Sequence, residues 1–128
     1  MPEDHTNAFP KRLRLLKGTD FDAVFKARTS VGDAVLVIHA RPNDLGHPRL
    51  GMAVSRKVGN AVRRNRWKRL LREVFRLAQH DLPALDLVVL PRLRDEPTFD
   101  RLDGSLRSLA RRAEKKAHRK QAPNPEPS

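Results

Sequence analysis

Apolar residues recur along this chain with two periods, close to two and close to 3.6, and the switches between them mark out its elements. Phe21, Val24 and Phe25 follow Thr19 at helical spacing. Thr19 with Asp22 three residues on has the form of a capping box, so a first helix is predicted over 19–28. The run Ala34-Val-Leu-Val-Ile-His-Ala40 is apolar, β-branched and stopped by Arg41-Pro42, which predicts a strand. Arg49-Leu-Gly-Met-Ala-Val-Ser55 alternates Leu50, Met52 and Val54 with the small Gly51, Ala53 and Ser55. With the polar loop through Asn43, Gly46 and Pro48 between them, these two strands are expected to form a hairpin.

A second helix is predicted from Asn60, a natural N-cap, to about His80, before Pro83. Advancing about 100° per residue from Trp67, residues Leu70, Leu71, Val74 and Ala78 stay within about 60° of it and define a core side. Asn65, Lys68, Arg69, Arg72 and Arg76 gather around the opposite direction as a cationic rail, with Arg63, Arg64 and Arg66 flanking it at the N-terminal turn. Asp86-Leu-Val-Val-Leu-Pro-Arg92 is apolar at successive positions, as a strand buried on both faces requires. A third helix over Phe99 to Arg112 places Leu102, Leu106, Leu109 and Ala110 along one stripe. The expected architecture is α+β, an α-β sandwich of three helices on a small mixed sheet. Residues 12–113 form the single domain, between a flexible N-terminus at 1–11 and a tail at 114–128 that is basic, read as a frayed helix end, and then Pro-rich and disordered.

Charge gives this scaffold a direction. Residues 56 to 76 hold nine Lys or Arg against Glu73 alone, in a chain whose net charge is +12. A solvated helix face ordinarily mixes signs, whereas a one-sign face needs an anionic partner, and phosphate backbones supply one. Arg outnumbers Lys, and its planar fork can grip two phosphate oxygens. The turn Ser55-Arg56-Lys57-Val58-Gly59 adds a hydroxyl, cations and free N–H groups at a helix start, a seat for phosphate that matches no nucleotide-binding loop. Phe21 and Phe25, four apart, share one face. They are either core residues or a platform for unpaired bases, and spacing does not choose between these. His39 could line the same surface.

Other chemistry is sparse. There is no cysteine, and the five His are scattered, so neither a thiolate site nor a protein-held metal is expected. Asp20, Asp22, Asp81 and Asp86 read as caps, turns and charge balance rather than as a catalytic carboxylate pair. The N-terminal residues do not have the form of a secretory signal, and no window reaches the length of a membrane span, so a cytoplasmic protein is expected. A binder of membrane surfaces would need the apolar face of the second helix, which the strands use.

The segment Arg56-Lys-Val-Gly-Asn-Ala-Val-Arg-Arg-Asn-Arg-Trp-Lys-Arg-Leu-Leu-Arg-Glu73 resembles the signature of the bacterial ribonuclease P protein subunit. There a Lys-Lys-x-Gly-x-Ala-Val turn leads into an Arg-Asn-Arg-x-Lys-Arg-x-x-Arg helix. The likeness extends to Leu15, Phe21 and Phe25, to Arg49-Leu-Gly-Met52, and to Asp86–Arg92. It implies a fold like the second domain of ribosomal protein S5, with a left-handed βαβ crossover around the second helix. It further implies a ribonucleoprotein endonuclease that removes the 5′ leader of precursor tRNA. In that enzyme the RNA subunit and its Mg2+ ions are the catalyst and the protein holds neither catalytic residue nor metal. The implied partners are the catalytic RNA and precursor tRNA, with neither DNA nor a membrane. By the same likeness Arg64, Asn65, Arg66, Lys68, Arg69 and Arg72 would contact the catalytic RNA, and Phe21, Phe25, His39, Ser55, Arg56, Lys57 and Arg92 the leader. His39 stands where many members carry an aromatic ring, often Tyr, and this chain has no Tyr. The alternative is a structural RNA-binding protein without enzymatic role, such as a ribosomal protein.

Overall fold

A computed structural model describes residues 9–92 and 94–121. Its sheet is built from β1 (Thr29–Gly32), β2 (Leu36–Pro42), β3 (Arg49–Met52) and β4 (Leu85–Pro91), in the order β1-β2-β4-β3. β4 runs antiparallel to β2 and parallel to β3. The helices are α1 (Gly18–Lys26), α2 (Ala61–Ala78) and α3 (Phe99–Gln121). The mixed sheet and three helices are those expected.

Alternation within the strands assigns the layers. Leu36, Ile38, Ala40, Leu50, Leu87 and Val89 point to one face, where they meet Trp67, Leu71, Val74 and Phe75 of α2 and Leu102, Leu106 and Leu109 of α3. Val88 points to the other, where a smaller cluster joins it to Leu15 and to Val24 of α1. β4 supplies apolar side chains to both clusters and therefore takes an interior place in the sheet.

That place overturns the expected hairpin of 34–40 with 49–55. β4 lies between β2 and β3 and pairs with both, and all five of its residues 85–89 are buried. β2 instead makes its hairpin with β1, a four-residue strand whose single large apolar residue, Val31, is too little to show alternation. Asp33 closes that turn by accepting from the N–H groups of Val35 and Leu36 at 2.8 and 2.9 Å, and from the Ser105 hydroxyl at 2.5 Å.

The helices differ from expectation at their ends. The Thr19–Asp22 box does not form: α1 begins at Gly18 with no side-chain cap, which places Thr19 inside it. α1 closes through Arg28, whose φ of 55° is the left-handed conformation common at helix ends. α2 starts on Asn60 as predicted, its Oδ1 accepting from the Arg63 N–H at 2.9 Å. α3 continues beyond Arg112 to Gln121, so part of the expected tail is helix. Ala113 and Ala117 are buried, and such small side chains let the helix lie close on the sheet. At the N-terminus Phe9 packs on Phe75 with ring centroids 5.3 Å apart, so residues 9–11 are not a loose end. Residues 1–8 and 122–128, the remainder of the expected ends, lie outside the described residues.

The extension of α3 also fixes the outer side of β1. Arg112 donates to the Gly32 carbonyl at 3.4 Å, Lys116 to the Ser30 carbonyl at 2.9 Å, and Lys120 to the carbonyls of Ala27 and Arg28. The spacings match, since four helical residues rise about 6 Å and two strand residues about 6.7 Å.

Candidate nucleic-acid interface

The start of α2 is shaped by its turn. Ser55 accepts from the Lys57 N–H at 3.3 Å, a single 3-10 turn spans Arg56–Val58, and Gly59 takes φ 145°. A Cβ at Gly59 would meet Arg63 Cδ at 2.6 Å, so the turn needs glycine twice over. Arg64 folds back to donate to the Gly59 carbonyl at 2.8 Å. Arg63 and Arg66 both pair with Glu96, and Arg63 also donates to the carbonyls of Arg94 and Asp95. Sequence reasoning missed Glu96. It lies some thirty residues from its partners, and no local pattern announces the pairing.

Of the residues expected to contact the catalytic RNA, Asn65, Lys68, Arg69 and Arg72 point away from the core. The three cations among them make no ion pair within the described residues, so their charge is available to a partner. Arg66 keeps its guanidinium half exposed beside Glu96. Arg76, the last cation of the rail, is paired with Glu73 at 2.5 Å and is largely neutralised. Lys68 and Arg72 also line a groove of about 250 Å³ that reaches Phe21 and Met52 at the β3 side of the sheet.

On the α1 face the two phenylalanines have separate fates. Phe21 is half buried against the Val24–Val88 cluster and lies over Gly51, where a Cβ would come within 2.8 Å of its ring. Phe25 is 39% exposed and meets His39 edge-on, with ring centroids 4.9 Å apart and an interplanar angle of 70°. Burial holds the His39 imidazole below its ordinary pKa, so the ring is neutral at pH 7 and serves as an aromatic face rather than a cation.

Strand register lays out the rest. Val88 of β4 is flanked by Gly51 and His39, and Leu90 by Val37. Four residues on from Val88, about 13 Å at strand spacing, comes Arg92. Ser55, Lys57 and Arg92 line one open depression of about 550 Å³ there, and the exposed Arg56 adjoins it. Aromatic rings at one end and cations at the other are therefore joined by an apolar floor.

In the opposite direction the same face is closed by a buried carboxylate. Asp86 accepts from Arg49 twice at 2.8 Å, from Arg41 at 3.2 Å and from Asn43 at 2.9 Å. Burial pushes its carboxyl pKa up, but the hydrogen bonds from Arg49, Asn43 and Arg41 outweigh this and hold it below the usual aspartate range. Asp86 is therefore more than the charge balance or turn residue expected of it. It ties three strands together. Among the described residues no three His, Asp or Glu side chains converge as a metal cage would require. Among the same residues no helix is long and apolar enough to cross a membrane.

The fold and much of the sequence are shared with known proteins. The family model described as Ribonuclease P matches residues 9–114. The chain belongs to the ribonuclease P protein family. The ribonuclease P protein component of Photobacterium profundum is 46% identical over 110 residues, covering 81% of this chain and 93% of that one. The protein of the same description from Escherichia coli is 51% identical over 84 residues, 65% and 71% of the two chains. Among solved structures, a mutant RNase P protein of Staphylococcus aureus superposes with a TM-score of 0.72 at 34% identity, covering 81% of this chain and 90% of that one. The RNase P protein of Thermotoga maritima superposes with a TM-score of 0.70 at 35% identity, covering 77% and 96%. Membership makes this chain a subunit of the endoribonuclease ribonuclease P, as the Arg-Asn-Arg motif implied.

Proposed function

We propose that α2 binds the catalytic RNA of ribonuclease P while the α1 face of the sheet binds the 5′ leader of precursor tRNA, so that the chain assists endonucleolytic maturation of tRNA 5′ ends in the cytoplasm. The observation that carries this reading is the separation of two surfaces of different chemistry. On α2, Lys68, Arg69 and Arg72 offer charge without an ion pair among the described residues, which suits the backbone of a structured RNA; Arg64, Asn65 and Arg66 extend it towards the turn. Under α1, Phe25 and His39 offer ring faces, Phe21 their support, and Ser55, Arg56, Lys57 and Arg92 the phosphate contacts. That combination suits an unpaired strand. Hydrolysis belongs to the RNA subunit and its Mg2+ ions, and the protein's part is to hold substrate beside them and neutralise repulsion between the two RNAs. A purely structural RNA-binding protein would use the α2 surface alone, and the exposed Phe25–His39 pair favours the leader reading over it.

Reconstitution tests it. With the catalytic RNA at low magnesium, adding the chain should raise cleavage of precursor tRNA steeply, and the gain should fade as salt rises. Cleavage by the purified chain alone, or a gain insensitive to salt, would refute the reading.

A further inference from the structure

The second half of α3 carries a cationic surface that neither role above uses. From Arg111 to Lys120 the helix holds six Lys or Arg against Glu114 alone. Arg112, Lys116 and Lys120 are fixed on the outer side of β1 by the carbonyl contacts already described. Lys115 and Arg119, one turn apart, stand beside them, exposed and without an ion pair among the described residues. With Ser30 and Gly32 these side chains line an open depression of about 570 Å³.

Gly32, at the rim of this depression, lies against Arg92 at the cationic end of the leader floor. Arg92 reaches from β4 to the β1–β2 turn, where its Nη1 donates to the Asp33 carbonyl at 3.3 Å and lies 3.1 Å from where a Cβ at Gly32 would be. Arg112 meets the same Gly32 from the α3 side. The acid at this corner, Asp33, has its carboxylate engaged by Val35, Leu36 and Ser105, which dulls its repulsion of an anion. Positive charge therefore runs from Lys57 through Arg92 to Arg112, Lys115 and Arg119, over a corner kept low by a glycine.

We infer that this surface extends the leader track. Leader nucleotides beyond the sheet face cross the β1 edge at Gly32 and lay their phosphates on Arg112, Lys115 and Arg119. A single strand can bend from a sheet face onto its edge, whereas a stiff duplex cannot follow that corner. No aromatic side chain lines the depression, so it reads phosphate and not base, and its contribution is independent of leader sequence. The inference rests on the leader reading proposed above.

The test uses the reconstituted holoenzyme with wild-type chain and with Lys115→Ala/Arg119→Ala, whose altered side chains are both exposed. Binding is measured for mature tRNA, for precursor with a short leader that ends on the sheet face, and for precursor with a long leader. The double variant should bind the long-leader substrate about three- to tenfold more weakly, with a salt slope lower by about 1.4, the value for two single-strand phosphates. Mature tRNA and the short-leader substrate should bind as before. An unchanged long-leader affinity, an equal loss on all substrates, or a loss confined to affinity for the catalytic RNA would each overturn the extension. If the wild-type chain itself shows no preference for leader-bearing over mature tRNA, the leader reading falls as well, which separates the two failures.

Discussion

The two faces of the sheet are made by the same strands, yet one is dry and the other is half open. Under α2 and α3 the side chains of Leu36, Ile38, Leu87 and Val89 are enclosed by two long helices. Under α1 a helix of nine residues covers Val88 and Leu15 and leaves Phe25, His39 and the floor beyond them accessible. Stability is concentrated on the first face, and the second is free to spend its apolar surface on a ligand. The difference also sorts the arginines. Arg41 and Arg49 are committed to Asp86, whereas Arg69 and Arg72 face outward.

Substitutions on the two faces should therefore separate into losses of folding and losses of binding. The largest effect is expected from Trp67→Ala. The ring is fully enclosed, and its removal should lower stability by about 3–5 kcal/mol in denaturant unfolding, on the order of what large core truncations cost. Asp86→Asn should come next, although it lies on the α1 side. It leaves two guanidinium groups facing each other, but both reach solvent, so the expected loss is about 1–3 kcal/mol at pH 7 rather than that of a fully buried pair. The carboxyl pKa is lower in the folded than in the unfolded chain, so its contribution is present above the ordinary value of 3.8 and is lost as the pH falls through the folded value. Unfolding midpoints taken down to acid pH should fall less steeply in the variant than in the wild type; parallel curves would show that Asp86 contributes nothing by ionisation. The smallest effect on folding is expected from Phe25→Ala, with stability nearly unchanged but precursor tRNA bound more weakly by about 1–3 kcal/mol and mature tRNA bound as before. A stability loss there comparable to that of Trp67→Ala would erase the contrast between the faces.

How much of this is legible in the sequence depends on whether a residue's partner is near it in the chain. α2 is legible because Asn60 caps it and Trp67, Leu71, Val74 and Ala78 repeat at helical spacing over many turns. β4 is legible because an uninterrupted apolar run has few other uses. β1 is not, since Thr29-Ser-Val-Gly32 owes its strand to pairing with β2. Nor is the far half of α3, where Ala113 and Ala117 are too small to outweigh the charges around them in any periodic count. The site divides the same way. The outward cations of α2 follow from a helical wheel. The grip of Glu96 on Arg63 and Arg66, and the convergence of Arg41, Arg49 and Asn43 on Asp86, exist only once distant segments meet. The split between Phe21 and Phe25 depends on Gly51 and His39, which spacing along α1 does not reveal.

The clasp of α3 on β1 has a counterpart across the sheet, where Leu15 donates to the Leu50 carbonyl at 2.9 Å and Arg14 forms a parallel bridge with Leu50. Both margins of the sheet are thus already occupied, one by lysine and arginine termini and the other by a passing segment of backbone. A foreign strand finds few free carbonyl or amide groups to zip onto. Association between two copies of the chain would accordingly have to proceed through side chains rather than by joining their sheets edge to edge.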